Sequence, residues 1–195
     1  PTGHDSVLFT SAAPQPTPGD WSGLIMGASA RGFMRRTRIE YAQTALRATG
    51  LALQAAESAR SVQVLTLDEV DIINASVDGI RLSDIEESLR LNGVGIRQVG
   101  GVGLAVSGPG LVRISGAVLE DNAGGGLQRE GGYIELKQSV FTNNGLGVAG
   151  GANVLLGRGV FGQVENNRLS GGVGLDCYQC KEVVVSDNVF ENYST

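Results

Sequence analysis

The sequence predicts an all-β solenoid, a single-stranded parallel β-helix, and three observations carry that prediction. A glycine followed by an aliphatic residue returns at Gly79-Ile80, Gly103-Leu104, Gly126-Leu127, Gly147-Val148 and Gly174-Leu175, at steps of 24, 23, 21 and 27 residues. A second apolar column, Ile72, Ile96, Leu119, Phe141, Leu169 and Phe190, steps by 24, 23, 22, 28 and 21. Both columns lengthen in the same coil, so one insertion explains both. Third, the runs between these landmarks are short and strand-like, as expected where each coil buries its apolar residues against the next. A chain of 195 residues divided by this repeat gives about seven to eight coils.

Taken in order, the elements fit a three-sided prism. Trp21-Ser22-Gly23-Leu24-Ile25-Met26 and Arg38-Ile39-Glu40-Tyr41-Ala42 read as early coils, with Ala45-Leu46 lying 22 residues after Gly23-Leu24. The step from Ala45 to Gly79 is 34 residues, one coil plus about ten more. Two readings of that excess stand: a short protruding helix over 51–60, which is made of good helix formers, or a further strand from Gly50-Leu51-Ala52-Leu53. From Gly79 onward the first side follows each glycine, as in Gly103-Leu104-Ala105-Val106, and alternation with period 2 sends one set of side chains inward. The second side reads Val112-Arg113-Ile114, Ile134-Glu135-Leu136, Val154-Leu155-Leu156 and Val183-Val184-Val185. The third side reads Ala117-Val118-Leu119, Ser139-Val140-Phe141, Asn167-Arg168-Leu169 and Asn188-Val189-Phe190. Polar residues such as Asp121-Asn122 and Asn143-Asn144 close each coil. Asparagine tolerates left-handed backbone there and its amide can bond a neighbour one coil away.

Composition sets the remaining bounds. Thirty glycines are dispersed in step with the repeat, which makes them corners and not a flexible linker. A net charge of −5 disfavours nucleic acid and anionic membranes as partners, since both require a positive surface. No run of about 18 apolar residues is present, so no membrane span is expected. The chain opens on Pro1-Thr2-Gly3-His4 without an initiator Met, and its last strand-like run lies almost against Thr195. One β-helix domain over 1–195, excised from a longer protein, is the expectation.

The stretch Val7-Leu8-Phe9-Thr10-Ser11, then Gly19-Asp20-Trp21-Ser22-Gly23, then Ile39-Glu40-Tyr41-Ala42 resembles the opening coils of bacterial extracellular right-handed parallel β-helix proteins of the pectate-lyase-like superfamily. The resemblance covers nearly the whole chain. It implies a right-handed coil and an extracellular, outer-surface or periplasmic location in a bacterium. It does not imply one activity, because the fold hosts lyases, hydrolases, esterases and adhesins. The Asn-Thr-Asp, Gly-His-Gly and Arg-Ile-Lys motifs of polygalacturonases are missing, as is the Arg-x-Pro-x-x-Arg run of pectate lyases. The only histidine is His4.

Candidate chemistry is distributed along the coils. The outward position after each glycine-aliphatic pair reads Arg47, Arg81, Ala105, Gln128, Ala149 and Asp176, so Arg47, Arg81, Gln128 and Asp176 are the catalytic candidates of a saccharide groove. Asp68, Asp71 and Asp78, within an acidic run, are calcium candidates, although no Asp-x-Asp-x-Asp-Gly loop is present and a solvated negative surface is the plainer reading. Trp21 and the arginines Arg35, Arg36 and Arg38 are ligand-binding candidates, by ring stacking and by guanidinium forks, against a surface loop that balances acids downstream. Cys177 and Cys180 have the spacing of a small disulfide if the chain turns between them, and remain thiols if it does not.

The expected function is a non-catalytic secreted or cell-surface module that acts in adhesion, glycan contact or assembly. Its expected partners are polysaccharide or other surface proteins, and it needs no cofactor unless calcium is bound. A polysaccharide lyase or hydrolase is the first alternative. A spacer or stalk within a larger surface protein is the second.

Overall fold

The computed structural model describes residues 6–28, 30–50, 63–146 and 148–192, and its regular structure there is all β. In chain order the strands are β1 (Val7–Phe9), β2 (Leu24–Met26), β3 (Gly32–Glu40), β4 (Thr44–Thr49), β5 (Gln63–Ile73), β6 (Asp78–Ser83), β7 (Ser88–Asn92), β8 (Gly95–Arg97), β9 (Val102–Ser107) and β10 (Leu111–Ser115). They continue as β11 (Val118–Glu120), β12 (Gly125–Glu130), β13 (Gly132–Lys137), β14 (Val140–Thr142), β15 (Val154–Leu156), β16 (Val160–Glu165), β17 (Arg168–Ser170), β18 (Leu175–Cys177), β19 (Val183–Ser186) and β20 (Val189–Glu191).

These strands stack in parallel on three sides of a prism. The first side is a seven-stranded sheet ordered β18-β15-β12-β9-β6-β4-β2. The second and third sides form one bent 13-stranded sheet, because β3 and β5 run through the bend unbroken while later coils divide there into two strands. One left-handed residue per coil makes that bend. Arg36, Glu69, Gly93, Gly116, Gln138, Asn166 and Asp187 all have φ between +47° and +62°. A single residue in this conformation redirects an extended chain without adding a loop, which explains why Gly, Asn and Asp are common in the column.

The column deduced from the sequence is the spine of the third side. Phe9, Ile39, Ile72, Ile96, Leu119, Phe141, Leu169 and Phe190 are successive register partners. On the first side Leu24, Leu46, Ile80, Leu104, Leu127, Val154 and Leu175 do the same. Leu46 pairs with Ile80, so the 34-residue step is one coil, and the excess sits at the corner between β4 and β5. Residues 51–60, where a helix or a strand was expected, lie outside the described residues.

Two expectations are adjusted. Among the described residues the first side is passed seven times, six turns from β2 to β18, a count slightly below the expected seven to eight coils, while the third side, which begins earlier at β1, is passed eight times. The steps Leu46 to Ile80 and Leu127 to Val154 take 34 and 27 residues and use up the length. Val154-Leu155-Leu156 belongs to the first side and not the second, whose strand in that coil is β16. Gly147-Val148 imitated the repeat, yet Val148 falls in a loop after β14, and Gly147 lies outside the described residues.

The reason for that irregularity is an amide ladder. Asn122 Nδ2 donates to Asn144 Oδ1 (2.8 Å), and Asn144 Nδ2 donates to Asn153 Oδ1 (2.8 Å). The next coil offers Gly171-Gly172 where its predecessors have Asp121-Asn122 and Asn143-Asn144. Asn153 therefore enters from the start of β15 and donates to the Ser170 and Gly171 carbonyls in place of the missing side chain. It occupies the position that glycine holds in neighbouring coils. At Gly126 that position is tight: a Cβ would lie 2.3 Å from the Asn153 carbonyl oxygen. A second ladder, Ser139, Asn167 and Asn188, lines the bend between the second and third sides.

The interior is filled by buried Leu, Ile and Val from all three sides, with Phe141 among the largest side chains. Area removed from water by such a stack is the main stabilising term, at about 25 cal/mol per Å². One member of the core is charged. Arg129 occupies the inward column between Val106 and Leu156 and is fully buried.

Candidate functional site

The outward row of the first side carries the polar residues singled out as groove candidates, and alternation along each strand places them there. Its register partners are Ile25, Arg47, Arg81, Ala105, Gln128, Leu155 and Asp176. Arg47, Arg81 and Gln128 are thus one row, with Ala105 between the last two. Leu155 replaces Ala149 in the row and separates Gln128 from Asp176, so Asp176 stands apart from the others.

Between Arg81 and Gln128 the surface dips. Ala105 floors the depression, and Ser83, Ser107 and Glu130 from the next outward positions complete its rim. A short side chain one coil away from two long ones makes a hollow at the coil spacing of about 4.8 Å. Arg81 is held in place from below. Asp78, 2% exposed, accepts from Arg81 Nε at 2.6 Å and from the Val102 backbone N–H at 2.9 Å. Fixing Nε leaves the two terminal amino groups of the guanidinium as donors in a set direction. Arg47, one coil away, is exposed and has no ion-pair or hydrogen-bond partner among the described residues.

The carboxylates nearby act as internal acceptors. Asp78 serves Arg81 and Val102, and Glu130 accepts from the Arg158 backbone N–H at 3.2 Å. Asp68 bridges to Arg35 at 3.1 Å and accepts from Asn92, while Asp71 lies 3.6 Å from Arg97. The structure therefore does not bring Asp68, Asp71 and Asp78 together: the first two flank the bend in β5, and Asp78 opens β6. Among the described residues no three His, Cys, Asp or Glu side chains converge as a metal would need.

The arginine cluster is also absorbed by local pairs. Arg35 meets Asp68 and Arg36 meets Glu69, both at 3.1 Å, and Arg38 pairs with Glu40. Trp21 does not face the hollow. Its indole N–H donates to the Glu40 carbonyl at 2.8 Å and its ring packs against the core at the first coil. Asp20 beside it accepts from the Ser11 hydroxyl, the Thr17 hydroxyl and the Thr17 N–H, and these bonds hold its carboxyl below the ordinary value of 3.8. Cys177 and Cys180 form a disulfide, S–S 1.97 Å, across the turn after β18.

Sequence reasoning missed Asp78, Ser83, Ser107 and Glu130 as parts of one site. The signal was present: Asp78 precedes Arg81 by three residues, and Ser83 and Ser107 fall two positions beyond Arg81 and Ala105, on the same face by alternation.

A family model for the right handed beta helix region matches residues 59–195. No curated protein matches the chain, and no solved structure does.

Proposed function

The chain belongs to the right-handed β-helix family, and from that premise we propose that it is a non-catalytic secreted or cell-surface module whose first side contacts a glycan. The observation that carries this reading is Arg81, aimed by the buried Asp78 across a hollow floored by Ala105 and faced by Gln128. A guanidinium fixed in advance loses little freedom on binding and suits hydroxyl or carboxylate oxygens. Gln128 and the serine hydroxyls both donate and accept, which matches the mixed character of sugar hydroxyls. A polymer lying along the axis would meet Arg47, Arg81 and Gln128 in turn.

Cleavage of a glycosidic bond calls for two positioned ionisable groups. Here Asp78 and Glu130 already serve as acceptors for their own chain, which supports contact over turnover. The Cys177–Cys180 disulfide supports an oxidising location.

The test is a glycan array on the purified chain, with calcium and with chelator, followed by a product assay on every hit. Binding without products is expected, and Arg81→Ala should weaken it roughly tenfold, as loss of a charge-assisted hydrogen bond does. Ala105→Leu should fill the hollow and abolish binding with the charges untouched. Bond cleavage would replace the proposal with a lyase or hydrolase, and an array with no hit would replace it with a spacer.

A further inference from the structure

The second side carries an arginine pair of its own. Its central outward row runs Phe33, Thr66, Arg90, Arg113, Glu135 and Gln163 in register. Arg90 and Arg113 are therefore neighbours on adjacent strands, and like charges placed directly opposite repel. Arg113 is relieved by Glu135 at 3.1 Å. Arg90 is exposed and has no partner among the described residues. The polar groups beside it are committed to each other: Asn92 donates to Asp68 at 2.7 Å and accepts from the Ser115 hydroxyl at 3.2 Å. Shallow depressions lie on both sides of Arg90, one towards Phe33 and Thr66, the other towards Arg113, Glu135 and Lys137.

Aromatic surface lies to both sides of the pair, in its row on one side and obliquely on the other. Phe33 is 68% exposed and lies two coils from Arg90, about 10 Å at the usual strand spacing. On the other side Tyr133 and Phe161 lie one and two coils beyond Leu111, two residues along the strand from the row of Arg113, and their rings meet edge-on at 5.3 Å between centroids. Flat apolar faces on either side of paired guanidiniums suit a ring-built polymer that carries a compact anion.

We propose that Arg90 and Arg113 form a second binding site, which takes a sulfate or phosphate ester on a glycan. The three free oxygens of such a group can accept from both forks at once, and its charge relieves the repulsion between them. The site does not depend on the Ala105 hollow, which lies on a different sheet.

The experiment is calorimetric titration with dextran sulfate and with phosphorylated dextran, unmodified dextran serving as the neutral control. It is run on the Ala105→Leu chain, so that the first-side hollow is filled. The net charge of −5 repels both polyanions at long range, so binding above the control must come from a local site. The esterified polymers are expected to bind, Arg90→Ala to weaken them roughly tenfold, and Glu135→Gln, which frees Arg113, to tighten them several-fold. A gain on one change and a loss on the other would not follow from misfolding. Preference for one polymer identifies the ester. Affinity unchanged by Arg90→Ala, or no binding beyond that of plain dextran, would overturn the proposal.

Discussion

Phe141 and Phe190 stand in one column, two coils apart, with opposite surroundings. Phe141 is fully buried, whereas Phe190 keeps 44% of its surface exposed, and Phe9 at the other end of the column keeps 37%. The side chain is the same and so is its place within the coil. What differs is whether, among the described residues, a coil lies on both sides. In a solenoid, burial is supplied by neighbours, so the stability of a repeat is a sum of interface terms and the described end coils have fewer of them. The sharpest way to break this comparison is to remove both rings. Phe141→Ala should cost about 3–5 kcal/mol, the range for a buried aromatic that leaves a cavity, and Phe190→Ala about 1 kcal/mol. Urea unfolding followed by circular dichroism reads both, and equal losses would show that the end coil is packed as tightly as the middle.

The amide ladders extend the comparison to polar groups. Asn144 is fully buried, accepts from the Asn122 N–H and amide, and donates to the Leu119 carbonyl and Asn153. Asn188, in the last coil of the second ladder, is only partly buried. Asn144→Leu keeps the volume and strands several buried partners, with an expected loss of about 2–3 kcal/mol, while Asn188→Leu lets water reach the orphaned groups and should cost about 1 kcal/mol. A small effect at Asn144 would mean that the ladder relaxes to satisfy itself.

The same contrast explains what the sequence revealed. The third-side column was legible at every step from Ile72 to Phe190 because one apolar residue per coil must point inward and nothing else can take its place. The first-side column failed once, at Asn153-Val154. There the residue before the aliphatic serves a ladder whose other members sit in different turns, and Gly147-Val148 offered a local imitation. Spacing cannot reveal a side chain that substitutes for one missing a coil away. The polar row Arg47, Arg81 and Gln128 was also legible from alternation, but the hollow was not. It depends on the small size of Ala105 and on the contact between Asp78 and Arg81, both properties of neighbouring coils. Likewise, Arg35, Arg36 and Arg38 formed a cluster in sequence, and the adjacent coil of β5 brought Asp68 and Glu69 against two of them.

Arg129 is the exception inside the well-packed middle, and it offers the smallest and most distinctive test. It holds an inward position where adjacent coils place Val106 and Leu156. Its Nη2 donates to the Gly110 carbonyl at 2.7 Å and Nη1 to the Glu130 carbonyl at 3.3 Å, while the buried Nε–H has no acceptor among the described residues. Burial of the charged form lowers its pKa well below the ordinary arginine value, to about 10, partly offset by the nearby Glu130 carboxylate. Below pH 10 both folded and unfolded chains hold the proton, and the folded state bears the full cost of a buried charge. From about pH 10 up to the ordinary arginine value the folded state releases a proton that the unfolded state keeps, so this residue penalises folding less as pH rises. Arg129→Met should therefore stabilise the chain by about 1–2 kcal/mol at neutral pH, the relief of a buried ion less two lost hydrogen bonds. The gain should shrink when both proteins are unfolded at pH 10.5. A destabilised Arg129→Met would mean that the carbonyl contacts at Gly110 and Glu130 outweigh the cost of burying the charge.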